Sequence, residues 1–177
     1  MSTRASQIAV VEPSSSQDAE SETASHCAKL PLLAVLRTQD GAQLPAYKTA
    51  EAAGMDLSAC LGEGGTIELA PLERRLVPTG LRVAIPRGHE GQVRARSGWA
   101  LKEGVTVLNG PGTIDSDYRG DVSVILINLS AQPVQICHGD RIAQLVICPV
   151  VRVQPVEVST LDDTARGTGG FGHTGRR

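Results

Sequence analysis

The chain has 177 residues, 41% of them hydrophobic and only 2% aromatic, with a formal net charge of −2. The length suits one domain plus a tail. The near-neutral charge excludes a bulk basic field for nucleic acid or for an acidic membrane surface.

Residues 1–28, which contain EPSSSQDAESETASH, are rich in serine and acids, show no periodicity and hold no aromatic residue. Such a segment cannot bury enough surface to offset its ordering entropy, so a disordered acidic arm is expected there. The core domain is expected over residues 29–158. Short apolar runs recur in it: LLAVLR, GMDLSAC, TIEL, ERRLVPTGLRVAIP, EGQVRARS, VTVLN, DVSVILINLS, PVQI and RIAQLVICPVVRVQPVEV. Pro and Gly punctuate nearly every gap, as expected between strands. With so few aromatics the core must be built from Val, Ile, Leu and Ala, which favours many short strands. Only GWALKEG, after Ser97, could hold a turn or two of helix. The expected architecture is an all-β sandwich or barrel. Residues 159–177 read as a flexible, Gly-rich tail with no core pattern. That tail nevertheless carries Phe171, the only phenylalanine in the chain.

The four cysteines (27, 60, 137, 148) form no C-x-x-C pair, and the four histidines (26, 89, 138, 173) join no cluster. A zinc site is therefore not expected. No secretory apolar region and no long apolar run is present, so a reduced, soluble, cytoplasmic protein with buried free cysteines is expected.

Four segments combine polar groups with strand ends. VLNGPGTIDSDYRGDVSV sets Asn109, Asp115, Asp117, Tyr118 and Arg119 among glycines between two strands, which reads as a β-hairpin bearing polar groups. It is either a solvated acidic turn or a cup, in which Asn109 offers an amide to a base edge, Asp115 orients a water and Tyr118 walls off a sugar. RARSGWA can present an arginine, a hydroxyl and bare backbone N–H groups to an anion, or it is a charged strand end with a turn. GDRIAQLVI places Arg141 and Gln144 on an apolar strand, where strict alternation does not put them on one face. An interior hydrogen bond and a ligand contact are both open there. AAGMDLSAC holds one carboxylate, Asp56, which could pair with an arginine or hold a metal-bound water. The tail's GTGGFG lacks the following lysine and helix of a phosphate-binding P-loop.

Taken in order, AAGMDLSA, RARSGWA, LNGPGTIDSDYRGDV, GDRIAQLVI and RGTGGFGHTG resemble the five motifs of the trimeric deoxyuridine triphosphatase (dUTPase) family, from about Leu30 to Gly175. The resemblance implies a distorted β-barrel, jelly-roll-like fold with a mobile C-terminal tail. It implies Mg2+-assisted, in-line attack of water on the α-phosphate of dUTP. The products are dUMP, which supplies thymidylate synthesis, and pyrophosphate, and the reaction keeps uracil out of DNA. In this likeness Asp115 orients and activates the water, and Tyr118 packs under the deoxyribose. Asn109 with Thr113, Ile114 and Ser123 reads uracil. Arg96, Ser97 and Gly98 hold the phosphates, and Gln144 bonds phosphate or the catalytic water network. Asp56 lies near magnesium-bound waters. Arg166, Phe171, His173 and Thr174 belong to a flap that reaches a neighbouring subunit of a homotrimer. The only partners implied are dUTP and other copies of the chain, with no nucleic acid and no membrane.

Two positions depart from the commonest family pattern: Trp99 stands where an aliphatic residue is frequent, and Met55 where an aromatic is frequent. Both read as packing positions. Deoxycytidine triphosphate deaminases have a similar β fold but lack the GGFG flap. A catalytically silent nucleotide-binding relative would have lost the water-positioning carboxylate or the flap, whereas Asp115, Tyr118 and Phe171 are all present.

Overall fold

The computed structural model describes residues 30–170. The arm expected over residues 1–28, and Phe171, His173 and Thr174, lie outside the described residues. Ten strands and one helix follow in order: β1 (Ala34–Arg37), β2 (Met55–Ser58), β3 (Thr66–Leu69), β4 (Arg74–Ala84), β5 (His89–Arg94), α1 (Ser97–Glu103), β6 (Val105–Val107), β7 (Gly112–Ile114), β8 (Asp121–Asn128), β9 (Val134–Cys137) and β10 (Arg141–Pro149). One four-stranded sheet has the order β1-β4-β8-β6, a second β2-β10-β5-β7, and β3 pairs with β9. The all-β expectation holds in its jelly-roll-like form. No closed barrel forms among the described residues.

Period-two alternation places the core. Along β8, Val122, Val124, Leu126 and Asn128 are buried while the residues between them are partly exposed. Val77, Leu81 and Val83 of β4 and Leu57 of β2 join them, as do Ile142, Ala143 and Leu145 of β10. Cutting Leu126 or Leu145 to alanine would cost about 2–5 kcal/mol, because both are fully buried. The two innermost polar groups are satisfied. Asn128 donates to the carbonyls of Leu69 and Gln132 and accepts from Ser130, and the Thr79 hydroxyl donates to the carbonyl of Val122.

Three sequence expectations change in detail. The polar segment is not a simple hairpin. β6 and β8 do pair antiparallel, but the connection between them leaves their sheet, and its own strand β7 joins β5 in the other sheet. The apolar run after β10 does not continue as a strand. From Val150 to Val158 no ladder forms, and Val151, Val153, Val156 and Val158 are exposed, since no strand among the described residues pairs with that stretch. Of the described cysteines only Cys60 is buried; Cys137 and Cys148 are half-buried. The one helix falls where GWALKEG allowed it. It ends at Gly104, whose φ of 68° gives the left-handed turn that stops helices. No described helix is long and apolar enough to cross a membrane.

Candidate functional site

The residues singled out from sequence gather in two recesses. The first opens where the β6–β8 connection crosses between the sheets. Asn109, Gly112, Thr113, Ile114, Asp115, Tyr118 and Ser123 line it, with Asp121 and the β8 backbone residues Val122 to Ile125. Strand β7 sets the side-chain directions. Ile114 points into the core while Thr113 faces outward, and Asp115 follows at the strand's end, exposed. The chain then turns, with the Tyr118 N–H donating to the carbonyl of Asp115. The Tyr118 hydroxyl donates to the carbonyl of Asp121 at 3.1 Å. That places the ring over Gly120, where a Cβ would lie 2.3 Å from the tyrosine oxygen. Glycine at 120 is therefore a steric requirement of the tyrosine's position. Asp121 in turn pairs with Arg82 at 2.9 Å across β4 and β8. The hydrogen bond from Arg82 holds the Asp121 carboxyl below its usual range and raises the Arg82 guanidinium above its own.

The second recess lies beside the N-terminal end of α1. Lys48, Ala52, Gly54, Asp56, Arg96, Ser97, Gly98, Arg141 and Gln144 line it. Asp56 is its organising group. It sits on β2 at 8% exposure and accepts from Arg141 Nη1 at 2.9 Å, with Arg96 Nε 3.8 Å from its other oxygen. Arg96 also donates to the carbonyl of Arg141 at 2.8 Å. The pairing with arginine, one of the alternatives left by sequence, is present. Two arginines converge on one buried carboxylate, so the carboxylate is compensated and both cations are held.

Arg141 and Gln144 stand three residues apart, which in a regular strand would put them on opposite faces. The ladder between β10 and β2 slips here, with Arg141 opposite Ser58 and Ala143 opposite Leu57. The extra residue is Ile142. It is buried next to buried Ala143, and the resulting bulge returns Gln144 to the face of Arg141. Gln144 also lies directly across from Asp56 in the ladder.

No residue is common to the two recesses. Asn109, Thr113, Ile114, Asp115, Tyr118 and Ser123 belong to one, and Asp56, Arg96, Ser97, Gly98 and Gln144 to the other. Arg166 lines neither. It is exposed in a turn, donating to the carbonyl of Gly169 at 2.8 Å. Trp99 also lines neither and packs partly against the core. Sequence reasoning left Arg141 open between an interior hydrogen bond and a ligand contact, and assigned no part in the site to Lys48 or Asp121. For Lys48 no local signal existed. Its place follows from an antiparallel bridge between Ala46 and Asp56, which only the fold creates.

Comparison with known proteins matches this arrangement to one family. The dUTPase family model covers residues 40–175. A deoxyuridine 5'-triphosphate nucleotidohydrolase of Methylocella silvestris is 59% identical over 145 residues, 81% of this chain and 91% of the relative. One of Beijerinckia indica is 57% identical over 136 residues, 77% of this chain and 85% of the relative. Among solved structures, a Staphylococcus bacteriophage 80alpha dUTPase with dUPNHPP superposes with a TM-score of 0.71 at 25% identity, covering 82% of this chain and 99% of that one. With the family match running through both recesses, the chain belongs to the dUTPase family.

Proposed function

We propose that the protein hydrolyses dUTP to dUMP and pyrophosphate, and that its active site is assembled from different copies of the chain. The observation that carries this reading is the division of labour between the recesses. One offers neutral hydrogen-bonding groups, a tyrosine ring and a free carboxylate. The other offers three cationic side chains around one buried acid. A nucleotide has a neutral end and an anionic end of matching kinds.

In the first recess the Asn109 amide and the backbone at Thr113, Ile114 and Ser123 bond the uracil edge. The Tyr118 ring lies against the deoxyribose and leaves no room for a 2′-hydroxyl. In the second, Arg96, the Ser97 hydroxyl and the N–H groups at the start of α1 bond phosphate oxygens, with Gln144 beside them. Asp115 accepts a proton from a water whose oxygen attacks the α-phosphorus. The bond from that phosphorus to the α,β-bridging oxygen breaks, and pyrophosphate leaves with the electron pair.

Among the described residues no three metal-ligating side chains converge, and the phosphate recess holds a single carboxylate, Asp56. With both its oxygens facing arginines, Asp56 fits magnesium through water, as an acceptor for one of the several waters that magnesium keeps when it binds substrate phosphates. Bound there, Mg2+ would neutralise charge on the phosphate oxygens.

Two features support association into a homotrimer with shared sites. The recesses have no residue in common, and the valines of residues 150–158 leave an apolar, strand-like stretch exposed. Arg166 with Phe171, His173 and Thr174 forms the closing flap, Phe171 stacking on uracil. The product would feed thymidylate synthesis, and removal of dUTP would keep uracil out of DNA. The test is to incubate the purified chain with dUTP, UTP and dCTP and to identify products. Pyrophosphate and dUMP from dUTP alone are expected. Ammonia from dCTP, or binding without turnover, would overturn the reading.

A further inference from the structure

Lys48 is the one cationic side chain in the phosphate recess that makes no hydrogen bond or ion pair among the described residues. Arg96 and Arg141 are both committed in part to Asp56. Two of the three positive charges are therefore already partly compensated, while a bound triphosphate would bring several negative charges. The position of Lys48 is built into the fold. Two residues before it, the Ala46 carbonyl accepts from the Asp56 N–H at 3.0 Å, which ties the start of its loop to the strand that carries the recess acid. Further along, the Ala52 N–H donates to the Thr49 carbonyl, which closes a turn. The loop returns at Gly54, where a Cβ would sit 3.2 Å from Gln144 Cβ, so the loop lies close against the β10 side chains of the recess wall. An exposed lysine on a loop pinned at both ends over two arginines has its ammonium free for an incoming anion.

We infer that Lys48 is a phosphate-binding residue that selects polyphosphate chain length, its ammonium bonding the part of the triphosphate that leaves as pyrophosphate. This rests on the dUTP reading above. A compact charge on a flexible stem suits a group that departs, because it can follow the leaving phosphates without a fixed bidentate geometry.

The test compares Lys48→Gln and Lys48→Arg with wild type and with Lys102→Gln. The last removes the same charge from α1 at a residue that does not line the recess. Affinities for a non-hydrolysable α,β-imido analogue of dUTP, for dUMP and for inorganic tripolyphosphate are measured by calorimetry with magnesium present. Lys48→Gln is expected to weaken the analogue and tripolyphosphate roughly tenfold, the scale of one charge-assisted hydrogen bond, and to leave dUMP unchanged. Lys48→Arg should stay within about threefold of wild type, and Lys102→Gln should match it. Equal binding of the analogue and tripolyphosphate by Lys48→Gln and wild type would overturn the inference. So would a parallel loss for dUMP, which would mark a damaged loop instead of a lost phosphate contact. Tripolyphosphate carries no base, so its dependence on Lys48 stands or falls separately from the identity of the nucleotide. A wild-type chain that fails to turn over dUTP while still binding tripolyphosphate through Lys48 would sink the dUTP reading alone.

Discussion

The recess at the β6–β8 connection and the recess beside α1 hold their side chains in place by different means. In the first, the tyrosine is fixed by one hydroxyl bond to a backbone carbonyl and by the glycine beneath it, and Asp115 stands at the end of β7, exposed to solvent. In the second, Asp56 holds both Arg96 and Arg141, and Arg96 also bonds the Arg141 backbone, so the three residues share their contacts. The first recess should therefore accept single substitutions as local changes. The second should respond to them as a unit, with effects that do not add.

The largest expected effect comes from Asp115→Asn. It should keep the fold and the binding of dUTP while turnover drops by about 10²- to 10⁴-fold, the range for loss of a general base. Turnover near wild type would remove Asp115 from its role. The same variant gives the sharpest test of the split site. Asp115→Asn and Arg96→Ala chains should each be nearly inactive. Unfolded together and refolded as a mixture, they should recover on the order of a quarter of wild-type turnover if each site draws the two residues from different copies of a cyclic trimer. A mixture no better than its parts would show both recesses acting within one chain.

Next in size is the tail. Every described strand ends by Pro149, so truncation after Leu161 should leave assembly and melting temperature unchanged. Its kcat/KM should fall by roughly 10- to 100-fold, since base–aromatic stacking contributes about 1–3 kcal/mol. Full activity in the truncated chain would mark the lone phenylalanine as dispensable. A smaller change is expected at Tyr118. Tyr118→Ala should narrow the preference for dUTP over UTP, chiefly by slowing dUTP, and an unchanged ratio of the two kcat/KM values would assign sugar selection elsewhere.

The smallest effect is in acid. The folded Asp121 carboxyl is held below its usual range by Arg82. The pair's contribution is thus present above the unfolded-state value and is lost as pH falls through the lower folded one. Both partners are exposed, so the effect on melting temperature should be slight and salt-sensitive, and confined to the acidic limb of the profile. Asp121→Asn should flatten that limb. A change of equal size at neutral and acidic pH would point to packing instead.

Much of this was legible in the sequence because it depended on local pattern. The alternation in DVSVILIN gives β8 and its inward face, and the glycine after GWALKE stops the one helix. The motif order carried the membership of both recesses. What could not be read were relations that exist only between distant segments. That β7 deserts its neighbours for β5 depends on which sheet edge is open. That RVQPVEV forms no strand depends on having no partner, although its valines have the composition of one. Lys48 enters the recess beside α1 through a bridge between Ala46 and Asp56 that no residue near Lys48 announces.

The bulge in β10 has a consequence for chain length. Ile142 fills the core, while Arg141 and Gln144 on either side of it serve the recess. Deleting one residue between them would restore a regular ladder and keep the two on one face, but would empty the place of a fully buried isoleucine, and the variant should melt lower. Inserting one would leave a second residue of β10 without a partner on β2, so Gln144 should lose its place across from Asp56 and phosphate affinity should fall. The core and the recess thus each measure the same short stretch of backbone, and a spacing of three satisfies both.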